Sequence, residues 1–314
     1  MTDIVGVLAV VQKVVKPLYS IVKATGPFII AQSKKTVENY SDFKLNKAHL
    51  EAYTALIQKE AENLSNDKSK VRERLMNSTG LERVRAQNDF DALNKEINKF
   101  STLCKVKDFF NKDDELLSDV EISDAWIDRF NDVASSLNEE WRQKLLAKAF
   151  AFELQKPGTV SIILLNCMAS LDEETFRVFG ELINMSLICN GSMNCIPSVL
   201  SKDVATLRGE SYSIDKMLHS IGHLNLINTS KNTYIPVNSK ENSSLTYGSK
   251  TLLFRLTDKR VDESNLIHPL FFTTLGDSMS NFYERIETPQ GISNYDDIKE
   301  EVISKGYLIE EVKK

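Results

Sequence analysis

The sequence is short of the residues and spacings that mark known chemistries. Its four cysteines, Cys104, Cys167, Cys189 and Cys195, contain no C-x-x-C pair. That spacing gives no zinc-ribbon or dithiol signal and suits a reducing compartment, with Cys167 a buried thiol in an apolar helix. Of four histidines, His219 and His223 stand i, i+4, but no Glu follows the first, so H-E-x-x-H is absent. They read as a satisfied or exposed helical pair, and His268 stands alone beside Pro269. There is no G-x-x-x-x-G-K-[ST] loop, no G-x-G-x-x-G after a strand and no G-x-S-x-G elbow. Positive charge is in deficit: the formal net charge is −5, which argues against a protein that coats nucleic acid, although a local basic patch stays open. No apolar run is long enough to span a bilayer, which takes about 20 residues; Ile4 to Val11 is the unbroken stretch. The sequence therefore names no catalytic residue, metal ligand or cofactor. A nuclease with dispersed carboxylates would leave no motif, and that reading stays open beside the non-enzymatic one.

What the chain has is helix. A hydrophobic content of 42% with 26% charged residues is that of a globular protein, and 314 residues allow two or three domains. The densest periodicity lies between Asp124 and Phe179. Trp126, Phe130, Val133, Ala134 and Leu137 follow i, i+4, i+7, i+8, i+11 spacing, with Ser123 or Asp124 as cap. Asn138 is the expected cap of the next helix, whose stripe is Trp141, Leu145, Leu146, Ala149, Phe150 and Leu154. Pro157-Gly158 stops it, and Glu153 reads as a helix-end carboxylate that fixes the turn. A third helix is expected from Thr159 or Ser161 to Ser170. Asp172, Glu173 and Glu174 open a fourth, with Phe176 and Phe179 buried. Four short helices with tight connections predict one compact bundle.

Those residues resemble a bacterial family of unknown function. Its pattern is a D-x-W-x-x-x-F helix, here Asp124, Trp126 and Phe130, then a W-x-x-x-L-L-A helix, here Trp141, Leu145, Leu146 and Ala147. Glu153 before Pro157-Gly158, then Ser161, Leu164 and Leu165, then Leu171, Glu174 and Phe176 complete the core of the resemblance. Arg83, Arg85, Gln87 and Asn88 look like the family's Arg-rich helix. Leu218 to Gly222 and Thr273 to Gly276 look like its C-terminal part. Phe150 departs from the smaller aliphatic residue expected there. The resemblance covers roughly residues 80 to 285 and rests on packing motifs, so it implies a fold more than a chemistry. It also implies the setting of such relatives, accessory genes of mobile elements and phage defence.

Upstream, residues 4 to 31 are apolar and punctuated by Lys13, Lys16 and Lys23, with Pro17 and Gly26-Pro27 as breaks. The first 35 residues hold five lysines against one aspartate. Three readings stand: an amphipathic helix packed on the protein's own bundle or a second subunit, a membrane-interface helix with snorkelling lysines, and a span. In the first two, the contacts come from Ile4, Val7, Leu8, Val11, Lys13, Val14, Val15, Lys16, Leu18 and Lys23. Residues 34 to 100 read as long helices. Phe43, Leu50, Ile57 and Leu64 recur every seven residues with Tyr53 at a d-like position, but Asn46 and Glu60 spoil the seam, giving a partial coiled coil. Polar Ser65 to Lys70 and then Thr79-Gly80 read as breaks, before the Phe90, Leu93, Ile97, Phe100 stripe. Arg72, Arg74, Arg83 and Arg85 form a basic cluster, read as a solvated face with Glu73 and Glu82 or as a contact for nucleic acid or anionic lipid.

Asn111 to Glu121 reads as a link. Gly180 to Leu187 continues helical, Cys189 to Pro197 reads as a loop, and Val199 to Leu207 as a short helix. Beyond it the pattern changes: a helix over Ser213 to Leu226, strands over Thr233 to Val237, Ser244 to Tyr247 and Lys250 to Leu256, a Gly248-Ser249 turn, and a helix over Thr274 to Ile286. This suggests a winged-helix-like module whose wing carries Lys250, Arg255, Lys259 and Arg260. The tail from Pro289 supplies a helix and a docking strand.

The expected protein is mainly α: a helical bundle with long N-terminal helices, then a small α+β winged-helix-like C-terminal module. The expected boundaries are an apolar basic segment over 1–35, long helices over 36–115, the central bundle over 116–210 and the module with its tail over 211–314. The expected role is a non-enzymatic interaction protein of the cytoplasm, self-associating or bound to a protein partner and peripheral at the inner membrane if residues 4–31 engage it. The alternative is a DNA-binding regulator working through the C-terminal module.

Overall fold

The computed structural model describes residues 47–110, 122–197, 205–207, 210–230, 233–237, 242–256 and 266–313. The contact residues proposed between Ile4 and Lys23, the link over 111–121, and Lys259 and Arg260 lie outside them. The described protein is mainly helical with a small antiparallel sheet, and the chain divides into two compact units between Ser170 and Leu171. The fourth helix of the central stretch therefore belongs to the second unit.

The first unit begins with a helical hairpin, α1 (Lys47–Asn77) and α2 (Gly80–Cys104). The polar stretch Ser65 to Lys70 does not break α1. Along its inner side Ile57, Ala61, Leu64, Lys68, Val71 and Leu75 are buried or half-buried at alternating four- and three-residue steps. The seam thus uses Ala61 and Lys68 where Glu60 seemed to interrupt it. Lys68 closes the polar gap by laying its stem along α2, with its ammonium 5.3 Å from the Phe90 ring centroid. A 3-10 turn over Val106–Phe109 follows.

Three helices complete the unit: α3 (Asp124–Ser136), α4 (Glu140–Gln155) and α5 (Ile162–Ser170). Ser123 caps α3, its hydroxyl accepting from Trp126 N–H at 3.3 Å. Asn138 is not the cap of α4; Glu139 holds that position without a side-chain bond. Trp126, Phe130 and Phe150 stack with ring centroids 4.7–5.6 Å apart. Phe150, the departure from the family pattern, is thus the centre of the core, whereas Trp141 is only half-buried under Arg142.

The second unit opens with α6 (Glu173–Asn184), capped by Asp172, whose carboxylate accepts from Thr175 N–H at 2.7 Å. Phe179 is buried and Phe176 half-buried. Where a helix end and a loop were expected, the chain forms a hairpin of β1 (Leu187–Cys189) and β2 (Met193–Ile196). Two successive left-handed residues, Asn190 and Gly191, turn it, with Ser192 N–H donating to Cys189 O at 3.2 Å. Strands β3 (Ala205–Leu207), expected as helix, and β4 (Glu210–Tyr212) pair separately. Helix α7 (Ile214–Ile221) ends in a 3-10 turn over Gly222–Leu224.

Strands β5 (Ser243–Tyr247) and β6 (Lys250–Leu256) form the expected hairpin at Gly248-Ser249. After β7 (Leu270–Phe271), α8 (Thr274–Ser280) stops six residues short of the expected Ile286. Helix α9 (Pro289–Ser304) and β8 (Tyr307–Lys313) close the unit. The main sheet has the order β7-β2-β1-β5-β6-β8, every pair antiparallel. The Gly248-Ser249 hairpin is therefore no free wing: β1 and β8 flank it on both sides. Residues 233–237 form no strand; Ile235 N–H makes a single bond to Ile267 O at 2.9 Å.

Strand alternation gives the sheet two faces. Leu187, Cys189, Cys195, Leu245, Leu252 and Phe254 face the core with Tyr295, Ile298 and Val302 of α9. Ile188 and Asn194, paired across β1 and β2, point to the opposite face.

Candidate functional site

Three places carry organised polar or exposed apolar groups. The first is the end of the α1–α2 hairpin around the turn between Asn77 and Gly80. The fully buried residues of α2 gather near its C-terminus (Lys99, Phe100, Thr102 and Leu103), with Ala86 alone farther out. Among the described residues α1 packs chiefly on α2, so from Ile57 to Asn77 the hairpin is an arm about 30 Å long at 1.5 Å per residue. At its end Met76, Leu81 and Val84 are 76%, 66% and 55% exposed. The surrounding residues 70–85 hold five basic side chains against two acidic ones. Arg74 pairs with Glu82 and Asp89, and Arg85 approaches Glu82 at 4.0 Å. Arg72 and Arg83 have no acidic partner among the described residues.

The second is the Pro157-Gly158 turn. Gly158 N–H donates to Glu153 Oε1 at 2.6 Å and Val160 N–H to Oε2 at 2.8 Å. From α3, Trp126 Nε1–H donates to Val160 O at 2.6 Å. One carboxylate and one indole thus hold the loop from both polar sides. Glu153 is buried, and burial raises its carboxyl above the ordinary value, while the N–H groups of Gly158, Val160 and Thr159 pull it down. Every strong donor here is already used by the turn, so Glu153 is a structural clasp.

The third is a cleft of about 800 Å³ on the second face of the sheet. Its wall is a network around Asn194, which is 4% exposed. Asn194 Nδ2–H donates to Asp277 Oδ1 at 2.7 Å and to Ser280 Oγ at 3.1 Å, and its backbone N–H reaches the same Oδ1 at 2.9 Å. Arg285 donates to Asn194 Oδ1 and, at 3.3 Å, to Ser186 O. Partial burial raises the Asp277 carboxyl above its usual range, opposed by the Asn194 bonds and by Arg285. Burial also pulls the Arg285 guanidinium below its ordinary value, against Asp277 and Tyr247, although part of the residue stays exposed and it remains charged. Tyr283 forms a fixed wall, its hydroxyl donating to Phe176 O at 3.0 Å and its ring stacked on Phe176 at 4.5 Å.

Helix α8 reaches this wall through the Thr273–Gly276 piece. Thr273 Oγ1 donates to Asn225 O at 2.8 Å and accepts from Gly276 N–H at 3.0 Å. A Cβ at Gly276 would run into Leu226 O, so glycine there lets α8 lie against the preceding loop.

The remaining sequence candidates are dispersed. His219 on α7 and His223 on the 3-10 turn are both exposed, and among the described residues no His, Cys, Asp and Glu group has metal-site geometry. His268 Nδ1 lies 2.9 Å from Thr233 O. Burial pushes the Cys104 and Cys167 thiols up to about 11 and that of Cys189 to about 12, so none is a thiolate at neutral pH. Lys250 lies 5.5 Å from the Tyr295 ring centroid, on the α9 side of the sheet, while Arg255 is exposed on β6. Among the described residues no helix is long and apolar enough to cross a membrane.

The cleft residues Asn194, Asp277 and Arg285 drew no attention in the sequence. Asp277 and Arg285 are 83 and 91 positions from Asn194, and the only local signal was the neighbouring Thr-Thr-Leu-Gly piece. No curated protein and no solved structure matches the chain. The stretch that carried the family resemblance, roughly residues 80 to 285, coincides with the match that was found: residues 85–290 fit the family described as "Protein of unknown function (DUF2806)", and the chain belongs to it.

Proposed function

We propose that this is a non-enzymatic interaction protein that assembles with copies of itself through the α1–α2 arm. The observation that carries the reading is the exposed apolar end of that arm, Met76, Leu81 and Val84, set among basic residues. Large apolar side chains clustered at an exposed tip mark an interaction site more often than an idle surface. The arm end is basic while the whole chain carries −5, so the remainder of each copy is net negative, which favours its contact with the basic end. A contact between the tip of one copy and a different surface of the next is heterologous, which builds rings or open arrays rather than closed dimers. Residues 4–31 add a second candidate contact, with a membrane or a subunit. The family resemblance supplies the setting, an effector of phage defence, which plating efficiency on expressing cells would examine.

The test is the native mass of the full chain by light scattering over a range of concentration and salt. Assembly should grow with protein concentration, weaken with salt through its charged part, and disappear in the Met76→Ser, Leu81→Ser, Val84→Ser triple variant. A strict monomer at every concentration, or a variant that assembles as the parent does, removes the self-assembly reading.

A further inference from the structure

We propose that the cleft between β1, β2 and α8 binds a small zwitterion of the α-amino acid class. The argument starts from the wall. Asp277 and Arg285 are opposite charges that do not form a direct ion pair; the buried Asn194 amide stands between them and bonds to both. Both Asn194 bonds to Asp277 go to Oδ1, so Oδ2 takes neither. Arg285 spends two of its five N–H donors, on Ser186 and Asn194. Each charge keeps valences for a ligand, and each is held in place by a group that cannot move without breaking the sheet contact.

Such a wall selects for a ligand carrying both charges. A carboxylate on Arg285 and an ammonium on Asp277 satisfy both groups at once, with the fork geometry that guanidinium offers to carboxylates. A phosphate is disfavoured by the Asp277 carboxylate in the same wall, and a divalent cation by Arg285. The cleft volume of about 800 Å³ falls in the range of small-molecule sites. Ile188 and Tyr283 line it with apolar surface, which fits an aliphatic side chain. This site is independent of the assembly reading: it lies wholly within the second unit, whereas the arm belongs to the first.

The test is calorimetric titration of the full chain with L-valine, with L-valinamide, which lacks the carboxylate, and with 3-methylbutanoate, which lacks the amine. The twenty common amino acids are then screened by thermal shift. Valine, or another aliphatic amino acid from the screen with its own amide and deaminated acid, should bind at least tenfold tighter than either truncated form. Asp277→Asn keeps an acceptor for Asn194 and removes the charge. It should weaken the zwitterion at least tenfold and leave the deaminated acid unchanged. If that variant no longer melts cooperatively, Ser192→Trp decides, because Ser192 lines the cleft outside the Asn194 network. It should abolish binding with an unchanged melting temperature. Absence of heat and of thermal shift with all twenty amino acids at millimolar concentration overturns the proposal. So do equal affinities for the zwitterion and its truncated forms, or binding that survives Ser192→Trp.

Discussion

The Glu153 clasp gives the sharpest quantitative prediction. Replacing Glu153 by Ala removes the acceptors of two backbone N–H groups, those of Gly158 and Val160. The consequences differ, because Gly158 is exposed and its N–H can turn to water, whereas Val160 is 1% exposed. A buried N–H left without a partner costs roughly 1–3 kcal/mol, and the lost charge-assisted bonds add to it, so Glu153→Ala should cost about 3 kcal/mol. Glu153→Gln retains one acceptor oxygen but turns an amide NH₂ toward the other N–H. It also relieves the burial of a charge, so its cost should be smaller, about 1 kcal/mol. The pH dependence follows from the raised carboxyl of Glu153. A group whose folded pKa lies above its unfolded value contributes stability that is complete below the unfolded value, here 4.5, and lost as pH rises through the folded one. The advantage of the parent over Glu153→Gln should therefore widen as pH falls from neutrality toward 4.5. Both tryptophans, Trp126 and Trp141, lie in the first unit, so urea unfolding followed by tryptophan fluorescence reports that unit alone. If Glu153→Ala unfolds within about 0.5 kcal/mol of the parent at pH 7, an ordinary value for a neutral surface change, the clasp account is wrong.

The two glycines of the family-like C-terminal pieces should behave oppositely. Gly276→Ala drives a Cβ into Leu226 O and should destabilise the second unit by about 2 kcal/mol in thermal unfolding, whereas a Cβ at Gly222 meets nothing within 4 Å and Gly222→Ala should fall within about 0.5 kcal/mol of the parent. Removing residues 1–35 should release the chain from the membrane pellet of fractionated cells if those residues engage the bilayer; equal pelleting of both forms ends that reading.

How much could be read in advance depended on whether a signal was local. Helices α3 and α4 were legible because Trp126, Phe130 and Val133, or Leu145, Leu146 and Ala149, repeat within a few residues of one another, and burial follows that repeat. Glu153 was legible for the same reason, since its partners lie five and seven residues ahead. The break read at Ser65 to Lys70 does not form because composition sees only polar side chains there, whereas half-buried Lys68 reaches over Phe90 of α2. The β1–β2 hairpin was missed because its strands have three and four residues and its buried positions are filled by Cys189, Asn194 and Cys195, which resemble loop composition. Helix α8 was overextended because Asn281 to Ile286 carries enough apolar residues to continue a stripe, yet Arg285 there is diverted to Asn194.

The cleft falls in the illegible part for a physical reason. Asn194 becomes informative only when β2 is placed in the sheet beside β1, which points its amide away from the α9 core and toward α8. In sequence it is one Asn in a stretch of Asn, Gly and Ser. An interior amide with both N–H donors and its oxygen bonded fixes its neighbours in one arrangement, because any shift strands a polar group in a low-dielectric interior. Here the amide keeps Asp277 and Arg285 apart at the edge of an open cleft, and the separation is maintained by bonds that the fold cannot release cheaply. Preorganised charges with unspent donors and acceptors are what a recognition site needs, since the ordering has been done before the ligand arrives. That is the reason to look for a ligand on the second unit even where the first unit offers the more conspicuous surface.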